Sequence, residues 1–199
     1  MFWYEDEIKS LERKRDAVSN QSGLVFYGSS SFRLWENLEK EFESFSAVNM
    51  GFGGSTLAAC SWFFERIMTG MKPTGFIIYA GDNDLGDGRH PEEVFIFYQR
   101  LILQIRNLFG NIPIAFVSVK PSLSRWNIIK SIRYTNRIIK ADITKRNDEI
   151  FFIDVFNEMV DDRGFPLRDI FEPEGLHLNE NGYNIWKEVI GTHPFFSRL

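Results

Sequence analysis

Four short segments of this 199-residue chain combine residue types that chemistry can use. The first, Gly28-Ser29-Ser30-Ser31, follows the apolar run Leu24–Tyr27. A glycine followed by small hydroxyl residues makes a tight strand-to-helix turn, and backbone N–H groups at a helix start favour negative charge. A serine there is a candidate nucleophile, although helix capping by Ser29, Ser30 or Ser31 is the plainer use. The second, Asn49-Met50-Gly51-Phe52-Gly53-Gly54-Ser55-Thr56, has glycines that let backbone approach a ligand closely. It is not a dinucleotide fingerprint, because Thr56 stands where the last glycine belongs and the loop follows the second strand. Ser55 or Thr56 suits the cap of the next helix.

The third segment, Gly81-Asp82-Asn83-Asp84, carries an asparagine whose NH₂ group can hold an oxyanion. An Asx-type turn is the competing reading. A calcium loop fails on register: Asp82, Asp84 and Glu93 match positions 1, 3 and 12, but Asp87 replaces the required glycine. In the fourth, Glu174-Gly175-Leu176-His177, a carboxylate three residues before a histidine can orient the imidazole from one turn, leaving it to act as a base. An incidental surface histidine is the alternative.

These segments need a scaffold that brings them together. Short apolar runs at Leu24–Tyr27, Phe45–Val48, Gly75–Ala80, Ile112–Val119 and Ile150–Ile153 have the length of strands buried on both faces. Helical patterns lie between them at Phe32–Glu43, Thr56–Met68, Pro91–Phe109 and Asn127–Arg146, with a last helix at Asn179–Val189 and a first at Glu5–Arg15. Fivefold strand–helix alternation predicts an α/β fold with a five-stranded parallel sheet covered by helices on both faces. Ligands bind such sheets at the carboxyl ends of the strands. One domain over residues 1–199 is expected, with residues 1–20 as an N-terminal helical extension.

Composition narrows the function. The 23 Lys+Arg against 27 Asp+Glu give a net charge of −4, which argues against general nucleic-acid binding. No window approaches the roughly 18 apolar residues of a membrane span. The start, Met1-Phe2-Trp3-Tyr4-Glu5-Asp6-Glu7, lacks the basic end of a secretory signal, and a cytoplasmic location is expected. Cys60 stands alone, so there is no internal disulfide and no cysteine zinc site; it reads as a small buried apolar residue. His90, His177 and His193 have no helical-spacing partner of the metal-binding kind. The 20 phenylalanines point to a Phe-rich core, and the ends Met1–Tyr4 and Phe195–Phe196 are expected to cover one another or a second subunit.

Together the segments supply a serine, backbone donors, an asparagine donor and a carboxylate–histidine pair, the parts for acyl transfer by a serine nucleophile. The G-x-S-x-G elbow of α/β-hydrolases is absent. In order and content the chain resembles the SGNH hydrolases, also called GDSL-type esterases and lipases, from about Leu24 to Tyr183. Within the family it is similar to the branch with G-S-S-S in the first block and Y-A-G-D-N-D at the third strand end. The resemblance implies a flavodoxin-like three-layer α/β/α sandwich, with Ser30 as nucleophile and first oxyanion donor. It implies Gly54 as second donor, with Gly53 as neighbouring alternative, Asn83 as side-chain donor and His177 as general base. The family's acid falls at Glu174, with Asp169 and Glu172 nearby as other groups to orient His177; its first-block aspartate is Ser29 here.

The implied reaction is ester hydrolysis through an acyl-enzyme on Ser30, without metal or organic cofactor. The absence of a long apolar lid favours short acyl groups such as acetyl, on a carbohydrate or small-molecule ester. A lysophospholipase or thioesterase, or a non-catalytic binding module with a degenerate triad, are the other readings. Specificity is expected from Leu85–His90, Lys120–Trp126 and Asp161–Pro173, with Lys120 and Trp126 lining the cleft; solvated loop charge is the plainer reading of Lys120 and Arg125.

Overall fold

The computed structural model describes residues 2–146 and 148–199. Five parallel strands form one sheet: β1 (Ser22–Gly28), β2 (Val48–Gly51), β3 (Lys72–Tyr79), β4 (Ile114–Val117) and β5 (Ile150–Ile153). Their spatial order, β2-β1-β3-β4-β5, is the flavodoxin-like order. The chain therefore reverses direction across the sheet between β1 and β3. The crevice beyond the carboxyl ends of these two strands is the switch point where such folds bind ligands.

Alternate residues of the strands feed two cores. Val25, Tyr27, Phe76, Ile78, Ile114 and Phe116 face α1 (Glu5–Val18), α4 (Leu57–Met68), α6 (Pro91–Phe109) and α7 (Ile129–Lys145). Leu24, Phe26, Ile77, Tyr79, Ala115 and Val117 face α2 (Ser30–Arg33), α3 (Leu38–Glu41) and α8 (Glu180–Gly191). The expected three-layer sandwich is thus realised, with α5 (Asp82–Gly86) as a short extra turn after β3. The aromatic share is mainly core: Phe26, Phe32, Phe42, Trp35 and Trp186 pack edge-on or tilted at centroid separations of 5.0 to 6.5 Å.

Three expectations need correction. The second strand is not Phe45–Val48 but Val48–Gly51. Ser46 takes a left-handed φ of 49° and closes a 3₁₀ turn over Glu43–Phe45, so the ladder starts later. Asn49 is tolerated on this edge strand because its side chain bonds Phe32 O at 2.6 Å and Gly51 N at 3.0 Å. The helix expected at Phe32–Glu43 is broken into α2, α3 and that turn. Phe32, Trp35, Leu38 and Phe42 are all buried at helical spacing, but periodicity reports which side chains face inward, not whether the ladder is continuous. Of the two covers expected for the chain ends, the described residues contradict the first: the ends do not cover one another. Tyr4 packs on Phe52 and Phe63, while Phe196 stacks on Phe42; Met1 lies outside the described residues.

Candidate active site

Gly28 closes β1 with φ +151°, and a Cβ there would stand 1.8 Å from the Tyr79 carbonyl, so only glycine fits beside β3. The next N–H, of Ser29, bonds that same carbonyl at 2.9 Å. Ser29 is the residue before α2, yet its hydroxyl caps nothing and is buried without a partner among the described residues. Ser30 opens α2, is half-buried, and its hydroxyl makes no hydrogen bond among the described residues. Helix capping therefore does not account for either serine.

The glycine loop folds back onto the same strand end. Phe52 N and Ser55 Oγ both donate to Gly28 O at 2.9 Å. Thr56, not Ser55, caps α4, accepting from Ala59 N at 3.0 Å. Gly53 N–H donates to Glu7 Oε2 at 2.7 Å, and Gly54 O accepts from Tyr4 OH at 2.9 Å. Gly54 has φ +64° and nothing within 4 Å of where a Cβ would lie. The Gly53 N–H is thus engaged and the Gly54 position is open, which separates the two glycines.

After β3, Gly81 turns the chain and Asp82–Gly86 forms α5 rather than an isolated Asx turn. Asn83 Nδ2 donates to Ser55 O at 3.0 Å, joining the third segment to the second. Its Oδ1 accepts from Arg125 Nη2 at 2.8 Å, so the amide is oriented by charge from the loop after β4. Arg125 and Lys120 both lie 3.5 Å from Asp82 Oδ2. Lys120 is 1% exposed, and burial lowers its pKa against the opposing pull of Asp82. Lys120 is thus neither a cleft-lining residue nor a solvated charge; it is a buried counter-ion beneath the Asn83 turn. Asp84 is also buried; its Oδ2 accepts from Leu57 N at 2.7 Å, and burial pushes its pKa up to about 6.

His177 lies on the loop before α8. Its Nδ1 is 2.6 Å from Glu174 Oε1, and the same oxygen accepts the His177 backbone N–H at 3.1 Å. Burial would raise the Glu174 pKa, but hydrogen bonds from its own backbone and from His177 outweigh that and lower it. Asp169 and Glu172 do not share this role: the Asp169 carbonyl accepts from Asn179 and Asn181, and Glu172 meets His177 through backbone. Gly175 takes φ +72° against Leu123, and its carbonyl accepts from Ser124 N at 3.1 Å, tying this loop to the one after β4. Tyr183 of α8 donates to Ser31 O at 3.0 Å, tying it to the serine turn.

A cleft of about 610 Å³ is lined by His177, Glu174, Tyr183, Leu34 and Trp35. A second, of about 830 Å³, lies on the other side of Glu174 and contains Trp126 stacked on Phe165 at 4.5 Å. A more apolar groove of about 730 Å³ between α7 and β5 contains none of these groups. Among the described residues no cluster of three or more His, Cys, Asp or Glu is placed to hold a metal ion. No described helix is long and apolar enough to cross a membrane. Cys60 is fully buried with its pKa raised by desolvation, and His193, without an evident partner in sequence, accepts from Phe195 N at 3.1 Å. Tyr4, Glu7 and the Arg125–Asn83 bond have no sequence signal; the contacts span about 40 to 50 residues.

Solved structures similar to this chain share its fold at low identity. A GDSL-like lipase from Bacteroides thetaiotaomicron superposes with a TM-score of 0.78 at 20% identity, covering 98% of this chain and 97% of the other. A Streptococcus pneumonia protein provisionally described as a platelet activating factor gives 0.80 at 18% identity, covering 95% and 93%. The family 3 carbohydrate esterase of Clostridium thermocellum gives 0.68 at 15% identity, covering 89% and 97%. No curated protein matches in sequence. The model of the GDSL-like lipase/acylhydrolase family matches residues 21–185, from β1 into α8, and spans all four segments. The chain therefore belongs to the GDSL-like lipase/acylhydrolase family and is a carboxylic ester hydrolase.

Proposed function

We propose that the chain is a serine esterase that removes short acyl groups, acetyl above all, from a carbohydrate or small-molecule ester. In this reading His177 Nε2 takes the proton of Ser30, and Ser30 Oγ attacks the ester carbonyl. The N–H groups of Ser30 and Gly54 and the Asn83 amide stabilise the oxyanion; one such donor is typically worth about 3–4 kcal/mol. Collapse expels the alcohol, protonated by His177. Water, deprotonated by the same base, then releases the carboxylic acid and restores Ser30.

The observation that carries the reading is the 2.6 Å contact between Glu174 and His177 Nδ1. It leaves Nε2 as the ring nitrogen without a partner among the described residues, and it gives the longer acid the orienting role the family assigns to aspartate. A preference for a sugar-borne ester is supported by Trp126, which stacks on Phe165 in the cleft beside Glu174 and is proposed as a substrate platform.

The test is Ser30→Ala. Turnover of p-nitrophenyl acetate and covalent labelling by a fluorophosphonate are both expected to vanish while circular dichroism stays native. Full activity in that variant would end the assignment. Labelling of the parent at Ser30 also separates an esterase from a binding module. A panel from acetyl to palmitoyl esters, with acetylated sugars, tests the acyl and leaving-group preference: dominance of long chains would sink it.

A further inference from the structure

We infer that Glu7, on the helix that precedes the sheet, is a positioning residue for the oxyanion-binding loops. The inference rests on the assignment of Ser30 and Gly54 above. Glu7 Oε2 accepts the Gly53 N–H at 2.7 Å and lies 3.0 Å from Arg33 Nε. Gly53 immediately precedes the proposed donor Gly54, and Arg33 is one turn after Ser30 in α2. A single carboxylate oxygen thus bridges the two elements that carry the backbone donors.

Tyr4 completes the brace. Its hydroxyl donates to Gly54 O at 2.9 Å, so the peptide units on both sides of the one bearing the Gly54 N–H are held from the same segment. Gly54 is left-handed and has no packing behind its Cα, so little else fixes that N–H. The segment is anchored: Ile8 and Leu11 are buried, Tyr4 packs edge-on against Phe52 at 5.4 Å, and Lys14 Nζ donates to Asn49 O at 2.8 Å. A lone carboxylate close to the site would oppose a developing oxyanion, and Arg33 neutralises it locally. The Glu7–Arg33 pair is partly exposed and adds little to stability. Its effect is geometric, because a donor contributes to catalysis only when it is already aimed at the developing charge.

The experiment compares the full chain with Glu7→Ala, Glu7→Gln, Tyr4→Phe and Gly53→Ala. It reads kcat and KM on p-nitrophenyl acetate, the rate of fluorophosphonate labelling, and thermal melts. Glu7→Ala should lower kcat and labelling roughly tenfold, part of the 10²–10³ that a whole donor is worth, with KM within about twofold. Glu7→Gln keeps an acceptor for Gly53 N–H and should recover most of the loss; Tyr4→Phe should show a smaller loss. A Gly53 Cβ would stand 2.8 Å from Glu7 Oε1 and push the side chain away, so Gly53→Ala should mimic Glu7→Ala. A folded Glu7→Ala with unchanged kcat, a change confined to KM or melting, or a glutamine variant no better than alanine would overturn the inference. If Glu7→Ala does not fold, Tyr4→Phe and Gly53→Ala decide it on the same readouts. Retained turnover and labelling in Ser30→Ala would instead overturn the underlying assignment, so the two failures are distinct.

Discussion

Replacing Asp84 by asparagine removes a charge while keeping most of the shape, and the structure fixes what that should do to stability. Asp84 is fully buried between the Asn83 turn and the start of α4. Burial disfavours its charged form; the Leu57 N–H and Arg89, 3.3 Å away, offset this only in part, and the carboxyl titrates at about 6. The ordinary aspartate value is about 3.9, so the gap is about two units, or about 3 kcal/mol. The sign follows from proton counting. Between about pH 4 and 6 the folded state holds a proton that the unfolded state has lost, so stability falls as pH rises. The contribution is fully present below pH 4 and gone above 6. The amide introduced by Asp84→Asn cannot titrate, and its carbonyl can still accept the Leu57 N–H. Urea denaturation of both proteins from pH 4 to 7.5 should show the variant gaining about 3 kcal/mol relative to the parent across that window. Carboxyls held low elsewhere, such as Glu5, Glu12 and Glu149, give the opposite slope in acid, but they are common to both proteins and cancel. Parallel stability profiles would refute the argument.

Other outcomes follow from single contacts. If Asn83 is the proposed oxyanion donor, Asn83→Ala should lower kcat by roughly 10²–10³ with little change in KM, since such a donor acts mainly in the transition state; a loss confined to KM would count against it. Arg125→Ala frees the Asn83 carbonyl oxygen and should lower kcat roughly tenfold, a part of the donor's worth, and Arg125→Lys should not restore it because lysine lacks the planar fork. Glu174→Gln should depress kcat by up to about 10⁴, as loss of the orienting charge does in serine triads, while Glu174→Asp should stay within about tenfold of the parent. Steady-state kinetics on p-nitrophenyl acetate measures each.

Much of the fold was legible because burial writes itself into local pattern. Ile150–Ile153 and Pro91–Phe109 fall where the apolar run and the helical spacing put them, and Pro91 suits the first turn. The four chemical segments sit at strand ends or before α8, where parallel sheets bind ligands. What was illegible depends on partners distant in sequence. The ladder of β2 includes Asn49, a polar residue made acceptable by Phe32 across the turn. Lys120 has no local sign of burial; Asp82, on another loop, makes it tolerable. The strand run ends at Val117 because Asn136 of α7 takes both the N–H and the carbonyl of Val119, at 2.7 and 2.8 Å, in place of a neighbouring strand.

The same contacts explain how loops without a common core can hold a constellation at fixed spacing. Each chemical segment is tied to the next by a residue one or two positions from the group it positions. Tyr183 reaches Ser31, next to Ser30; Ser55 receives Asn83 and follows Gly54; Ser124 meets Gly175, two residues before His177. The chain of bonds runs from the serine turn through α8 to the histidine loop, on to the loop after β4, and by Arg125 back to Asn83. Most ties are made by backbone or by a neighbour, so among the described residues the proposed nucleophile Ser30 carries no structural hydrogen bond, while one contact orients His177 and two hold Asn83. This also accounts for Ser29, where the family has aspartate. The turn is closed by the Ser29 N–H on Tyr79 O and by the Gly28 carbonyl, which accepts from Phe52 and Ser55, and none of these bonds uses the Ser29 side chain. Loss of the family carboxylate at position 29 therefore leaves the geometry of the serine turn intact.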